Sequence, residues 1–161
     1  MAGKLDPKQL AQVGATANQV LAWDSTANKW VPKDATVSFL GFGANSVATT
    51  TTTRYLFPWY SDSTAPTTVI QMRVPRACTL RNLRIRHNTG AGNGNNIVYT
   101  VRKNGVATAL TCTLASTAND GSDLANTVAF AAGDLIDIEV TKGTAIGTSP
   151  TFVVGSLEAV A

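Results

Sequence analysis

From Val37 onward, short runs of alternating apolar and polar residues are separated by turn signals at intervals of about 8–12 residues. The clearest turn signal is Asn104-Gly105, the dipeptide favoured in two-residue β-hairpins, which lies between the runs 97–103 and 106–114. A period of two predicts strands, and no segment after Gly14 has a helical period. The pattern predicts an all-β fold, an antiparallel sandwich of the jelly-roll type.

The predicted strands cover most of the second part of the chain. They are expected at 37–42, 69–74, 79–87, 97–103, 106–114, 126–130, 135–140 and 151–161. Asn119-Asp120-Gly121 predicts a further turn, and 89–96 and 143–150 are predicted to be loops. Only 14% of the residues are charged, against about 25% in an average soluble domain. This favours a β-rich protein covered by neighbours, although a single domain with a neutral polar surface also fits.

The residue pattern of the N-terminal region differs from that of the rest of the chain. We therefore predict an arm, residues 1–36, ahead of a jelly-roll domain, residues 37–161. Asp6-Pro7 predicts a short helix at 7–13, followed by a strand–turn–strand segment. The arm is too short to bury its own large apolar side chains, so these residues are predicted to bind a partner or neighbouring copies. They are Leu10, Val13, Val20, Leu21, Trp23, Trp30 and Val31.

The segment 54–60 is rich in aromatic residues, in a chain that has only 7% of them. Aromatic surfaces with little charge are typical of protein–protein interfaces, so these residues are predicted to form an interface between copies. They are Tyr55, Phe57, Trp59 and Tyr60. Alternation would place the first three on one face, so they could instead fill the sandwich; Tyr60 is the stronger interface candidate.

Charge is divided along the chain. Residues 73–103 contain seven arginines and lysines and no acidic residue, whereas 120–139 contain five acidic residues and no arginine or lysine. The two stretches could pair within one chain or between copies. The side chains predicted to face outward and pair between protomers are Arg84, Arg86, Asp137 and Glu139. Nucleic-acid binding is disfavoured because the basic stretch has one aromatic residue and no recognisable reading motif.

No group of residues predicts catalysis, a cofactor or a metal site. His87 is the only histidine and has no carboxylate beside it, while Cys78 and Cys112 lie in apolar surroundings that disfavour a thiolate. No secretory signal or membrane span is visible, so the chain is predicted to be made in a cytoplasm and not to bind a membrane.

Two parts of the sequence resemble bacteriophage virion proteins. Residues 14–32, GATANQVLAWDSTANKWVP, resemble a short element of tail-fibre, spike and head-fibre proteins. Residues 72–140 are similar to phage modules of the trimeric tumour-necrosis-factor-like jelly roll, at VPRACTLRNL (74–83), VRKNG (101–105), ATAL (107–110) and VAFAAGDLI (128–136). Cys78 departs from that pattern, because many relatives carry glycine there.

The resemblance implies a homotrimeric, non-enzymatic virion protein that is assembled in the host cytoplasm and located on the capsid surface. Its expected role is that of a capsid decoration (cement) protein or short head fibre, with the arm bound to the major capsid protein or another virion protein. The alternative is a tail-fibre or spike tip that binds host carbohydrate through the loops 89–96 and 143–150. A lytic enzyme module is disfavoured because no acid–base pair accompanies an aromatic cleft.

Overall fold

The computed structural model describes residues 19–34 and 37–160, and these ranges contain β-strands and no α-helix. They fall into two compact units: the first extends up to Val37 and includes Val160, and the second is Ser38–Ala159. The all-β class and the antiparallel sheets predicted from the sequence are therefore confirmed. The helix predicted at 7–13, with Leu10 and Val13, lies outside the described residues.

The strands are short. They are β1 (Gln19–Asp24), β2 (Lys29–Asp34), β3 (Val37–Ser46), β4 (Arg54–Tyr55), β5 (Phe57–Pro58), β6 (Met72–Arg73), β7 (Cys78–Arg86), β8 (Ile97–Lys103), β9 (Val106–Leu114), β10 (Asp120–Phe130), β11 (Leu135–Thr141) and β12 (Thr151–Val160).

The described part of the first unit contains one hairpin, in which β1 pairs antiparallel with β2 and Trp23 lies directly opposite Trp30. Its turn is held by the Asp24 carboxylate, which accepts hydrogen bonds from the backbone N–H of Thr26 at 2.9 Å and of Ala27 at 3.0 Å. This is the local bonding for which aspartate is favoured at turns. The predicted strand–turn–strand arrangement of this segment is confirmed.

The second unit consists of two five-stranded sheets around one hydrophobic core. One sheet has the strand order β10-β7-β12-β3-β5, and the other has the order β4-β11-β8-β9, with β6 also paired to β11. The inner faces meet around Gly155, where an added Cβ would lie 3.0 Å from Ile85 of the first sheet and 3.4 Å from Ile138 of the second. A glycine at this position lets the large aliphatic side chains of both sheets pack closely.

The predicted strands at 97–103 and 106–114 are confirmed at both ends, because β8 and β9 have these bounds. Asn104 and Gly105 both have positive φ, 51° and 81°, as the tight turn between paired strands requires. By contrast, the strand predicted at 69–74 is wrong in length, since only Met72–Arg73 pair, with Ile136 and Leu135 of β11.

The predicted turn at Asn119-Asp120-Gly121 is also wrong, because Asp120 already begins β10 and the chain turns at 116–117. Strand β10 contains a β-bulge between Asp123 and Thr127, where its register with β7 shifts. The Asp123 carboxylate satisfies the bulge by accepting hydrogen bonds from the backbone N–H of Asn126 at 3.0 Å and of Ala125 at 3.1 Å. The Asp123 carboxylate thus replaces the backbone acceptors that the pairing with β7 does not supply at the bulge.

Candidate interaction surfaces

The hairpin of the first unit exposes an indole pair. The Trp23 and Trp30 rings meet edge to face, with centroids 5.6 Å apart and an interplanar angle of 69°. Trp23 nevertheless stays 49% exposed and Trp30 36% exposed. Such a contact contributes about 0.5–1.5 kcal/mol beyond burial, which fixes the rings relative to each other but leaves much apolar surface in water.

The other residues predicted to anchor the arm provide less evidence for that role. Leu21 and Val31 are partly buried in the same hairpin. Nothing is described for the side chain of Val20, and Leu10 and Val13 precede the described ranges. The anchoring role predicted for the arm therefore rests on the two tryptophans.

The aromatic segment 54–60 is divided between the two sheets, so the prediction that Tyr55, Phe57 and Trp59 share one face is wrong. Strand β4 belongs to the second sheet and β5 to the first, and Leu56 between them is fully buried. The positive φ of 64° at Trp59 interrupts the alternation again. As a result Tyr55 is buried within the chain and Phe57 is partly buried, whereas Trp59 is 62% and Tyr60 46% exposed.

Trp59 and Tyr60 lie against glycines of β3. An added Cβ at Gly41 would lie 3.6 Å from the Trp59 ring, and one at Gly43 would lie 3.1 Å from the Tyr60 ring. Strands β12 and β3 are neighbours, and their exposed large apolar residues lie on the same sheet as these two rings. We call the resulting surface the aromatic face; it comprises Phe39, Trp59, Tyr60 and Phe152.

The predicted outward orientation of Asp137 is wrong, because its side chain is 0% exposed. The register of β11 with β8 places it directly opposite Arg102, whose Nε donates to Asp137 Oδ1 at 2.7 Å. Gln71 Nε2 donates to the other carboxylate oxygen at 2.9 Å. Arg102 also reaches Glu139 at 3.5 Å, and its guanidinium carbon lies 4.6 Å from the Tyr55 ring centroid. Paired and bonded in this way, Asp137 can be buried as a charge.

The basic and acidic stretches therefore meet within the chain at several points. Besides Arg102, Lys103 pairs with Asp134 at 3.0 Å. Hydrogen bonds from the Asn104 side chain and the Ala131 backbone, with Lys103 beside them, lower the pKa of the Asp134 carboxyl to about 2. Arg84 and Arg86 behave differently, because both are exposed and neither forms an ion pair within the described part of the chain.

Three buried polar side chains have atoms with no hydrogen-bond partner within the ranges described: the His87 ring nitrogens, Tyr99 Oη and Lys142 Nζ. Burial lowers the pKa of His87 and raises that of Tyr99. Burial, together with nearby Arg54, lowers the pKa of Lys142 to about 8. Since none of the three hydrogen-bonds to another side chain, they do not form a proton relay. Lys142 was not predicted as a candidate from the sequence, although it continues the inward alternation of Ile136, Ile138 and Val140.

The two cysteines are free thiols. Burial raises the pKa of both, and that of Cys112 reaches about 11, so both remain protonated near neutral pH. Among the residues that the structure covers, no group of three or more His, Cys, Asp or Glu side chains could hold a metal ion.

The loops 89–96 and 143–150 form one continuous surface. Asn95 Nδ2 donates to the Ala145 carbonyl at 2.8 Å, and the Thr148 N–H donates to the Ala91 carbonyl at 3.0 Å. The Asn93 side chain also packs against Gly147 so closely that an added Cβ there would collide with it. The structure thus joins two loops that the sequence places fifty residues apart.

No protein-family model matches the chain. No curated protein matches it either. The described ranges contain no helix that is long and apolar enough to cross a membrane. The function is therefore inferred from the surfaces themselves.

Proposed function

We propose that the chain is a non-enzymatic structural protein of a bacteriophage virion, a homotrimeric jelly-roll protein that decorates the capsid or forms a short head fibre. Its N-terminal arm binds the major capsid protein or another virion protein on the capsid surface. The single observation that carries the proposal is the indole pair of Trp23 and Trp30, which is fixed on a hairpin with one third to one half of each residue still exposed. The resemblance of residues 14–32 to fibre and spike elements supports the same assignment.

The energetics of the indole pair suit repeated attachment. A tryptophan offers about 150–250 Å² of surface, and burial contributes about 25 cal/mol per Å², so covering the exposed parts of both rings is worth on the order of 2–5 kcal/mol. One such contact is weak. Three arms on one trimer raise the effective concentration of the second and third contacts and so give firm attachment without any large single interface.

The aromatic face supports the trimer. Its four large apolar side chains are exposed on one sheet, and exposed apolar patches of this kind mark interaction surfaces. Trp59 and Tyr60 are residues of the types that dominate binding energy in interfaces. Tyr55 is not part of the aromatic face, because it is buried and the Arg102 guanidinium lies over its ring.

Attachment is tested by the double substitution Trp23→Ala/Trp30→Ala. The variant should no longer co-sediment with capsids of the phage, while circular dichroism of the second unit stays unchanged because its core contains neither residue. Lys29→Ala, on the same hairpin and also exposed, is the matched control and should co-sediment normally. Undiminished co-sedimentation of the double variant would show that the arm is not the anchor.

The oligomeric state is tested by sedimentation equilibrium, in which the protein should have about three times its chain mass of 16.8 kDa. Trp59→Ala/Tyr60→Ala should weaken self-association, whereas Arg76→Ala, an exposed residue outside the aromatic face, should not. A monomer at micromolar concentration would exclude the trimer.

A second candidate is a tail-fibre or spike tip that binds host carbohydrate. The packing of loop 89–96 against loop 143–150 favours it, because the two predicted contact loops form one polar surface. Binding of the intact protein to host-cell glycans, lost on Asn93→Ala and retained in the arm double variant, would support this candidate. Capsid decoration in cryo-electron maps of the intact particle would exclude it.

A further inference from the structure

A polar cavity of about 250 Å³ lies on β7, β10 and β12. Its lining includes Arg84 and Arg86 of β7, Ser122 of β10, and Val154 and Ser156 of β12. Arg84, Arg86 and Val154 are exposed, whereas their neighbours Ile85 and Gly155 are buried in the core. The cavity therefore opens on the outer face of the sheet, away from the core.

The backbone register fixes the polar groups of this cavity. Arg84 lies opposite Ser122, and Arg86 lies opposite Asp120, which also lines the cavity. Two residues apart on one strand, the arginines project to the same side about 7 Å from each other along the strand. Neither makes an ion pair within the described ranges, unlike Arg102 on the other sheet. The site thus presents two unpaired guanidinium groups on a rigid β-sheet.

We propose that this cavity binds an acidic monosaccharide. Its carboxylate is held by Arg84 and Arg86, whose planar groups match carboxylate geometry with two parallel hydrogen bonds. Its hydroxyl groups donate to the Asp120 carboxylate and exchange hydrogen bonds with the hydroxyls of Ser122 and Ser156.

Three features select a sugar acid over other anions. Asp120 repels a compact anion such as phosphate, whose negative charge cannot be kept away from it, but accepts hydrogen bonds from the alcohol groups of a polyol. Val154 offers an apolar contact for the carbon skeleton of the ring. The volume is slightly below the about 300 Å³ at which sites for drug-sized ligands begin, so it suits one sugar unit better than a nucleotide. The proposal goes beyond the virion role and does not rest on it.

The test is an amide NMR titration of the full chain with glucuronate, using glucose and inorganic phosphate as the two reference ligands. Glucuronate should shift the amides of Arg84, Arg86, Ser122 and Ser156 with a Kd on the order of 1 mM, as expected for so small a ligand. Glucose and phosphate should each bind at least about tenfold more weakly, because each lacks one of the two features that the site recognises.

Variants separate the site from general charge effects. Arg84→Gln should weaken glucuronate binding at least about tenfold, and Arg84→Lys, which keeps the charge but loses the planar fork, should fall between. Arg76→Gln makes the same charge change outside the cavity and should bind as the unmodified protein does. An unchanged amide spectrum outside the cavity shows that each variant is folded.

Each contrary result is decisive for this site. Equal binding of phosphate would reduce it to a simple anion site, and equal binding of glucose would remove the role of the arginines. No shift at any concentration up to about 100 mM, or shifts confined to the loops 89–96 and 143–150, would overturn the proposal. Because capsid attachment is measured separately through Trp23 and Trp30, any of these outcomes leaves the proposed virion function standing.

Discussion

Replacing Lys142 by methionine is expected to stabilise the second unit at neutral pH. Lys142 is only 5% exposed, and its Nζ has no hydrogen-bond partner among the described residues. Besides burial, the group that acts on its charge is Arg54, another cation, whose Nε is also buried without a hydrogen-bond partner in the described ranges. Methionine has a similar length and no charge, so it fills the same space without the desolvation cost.

The size of the effect follows from the pKa of Lys142, which burial and Arg54 lower from 10.5 to about 8. Below pH 8 the amine is protonated in both the folded and unfolded states, so the folded state bears the full cost of the buried charge. At about 1.4 kcal/mol per pKa unit this cost is roughly 3 kcal/mol at pH 7. Above about pH 10.5 the amine is neutral in both states and the cost disappears.

The free energy of unfolding of the unmodified protein should therefore rise with pH between about 8 and 10.5, because the unfolded state binds more protons there. Lys142→Met should be about 3 kcal/mol more stable at pH 7, and its advantage should shrink by about 2 kcal/mol by pH 9.5. Urea unfolding at fixed protein concentration measures both quantities and avoids a concentration-dependent shift from self-association.

Lys142→Arg is the matched control, because it keeps a charge that cannot be lost in this pH range. It should be less stable than the unmodified protein, and the difference should grow as pH rises. If Lys142→Met is instead destabilised at pH 7, or if the stability difference does not change with pH, the amine has an anionic partner or is solvated, and the reasoning from burial fails.

Three further predictions concern the same unit and are measured by urea unfolding. Asp123→Ala should cost about 2–4 kcal/mol, because the bulge N–H groups lose their acceptor; a cost below about 1 kcal/mol would mean that water replaces the carboxylate. Hydrogen bonds from Asn126 and Thr111 outweigh burial and lower the pKa of Asp123, so its contribution should be lost only as pH falls through that lowered value. Arg102→Met should cost about 3–5 kcal/mol by leaving Asp137 charged and buried, and Arg102→Met/Asp137→Leu should recover most of this; no recovery would show that packing, not charge, is responsible. Gly105→Val should cost about 1–2 kcal/mol because of its positive φ, and a neutral effect would contradict the turn geometry.

The elements that the sequence predicted best are those determined by local chemistry. Strands β8 and β9 were predicted to the residue because Asn104 and Gly105 specify both the turn and its register. The hairpin of Trp23 and Trp30 was predicted for a similar reason, with Asp24 and Asn28 at its turn.

The elements that were predicted wrongly depend on contacts between residues far apart in the chain. A turn was predicted at Asn119-Asp120-Gly121, but Asp120 begins β10 because it pairs with Arg86 of β7. Asp137 looks solvent-facing by alternation, but Arg102 and Gln71 cover it from other elements. At Leu56 the chain passes from one sheet to the other, and this could not be predicted either. Nothing in the sequence of residues 54–60 indicates that β4 and β5 belong to different sheets. Arg84 and Arg86 were predicted to face outward and to pair between protomers, but the cavity was not predicted, because the residues opposite them depend on a register that the sequence does not specify.

The position of β12 in its sheet has a consequence for synthesis. This strand is the last in chain order of those described, yet it lies between β7 and β3, which are separated from it by many residues. Until Val160 has left the ribosome, both neighbours expose an open hydrogen-bonding edge that other nascent chains can pair with. Insertion of β12 between β7 and β3 joins segments that are distant in the chain and is expected to be slow. Production of the protein should therefore benefit from low temperature and from chaperones that shield strand edges.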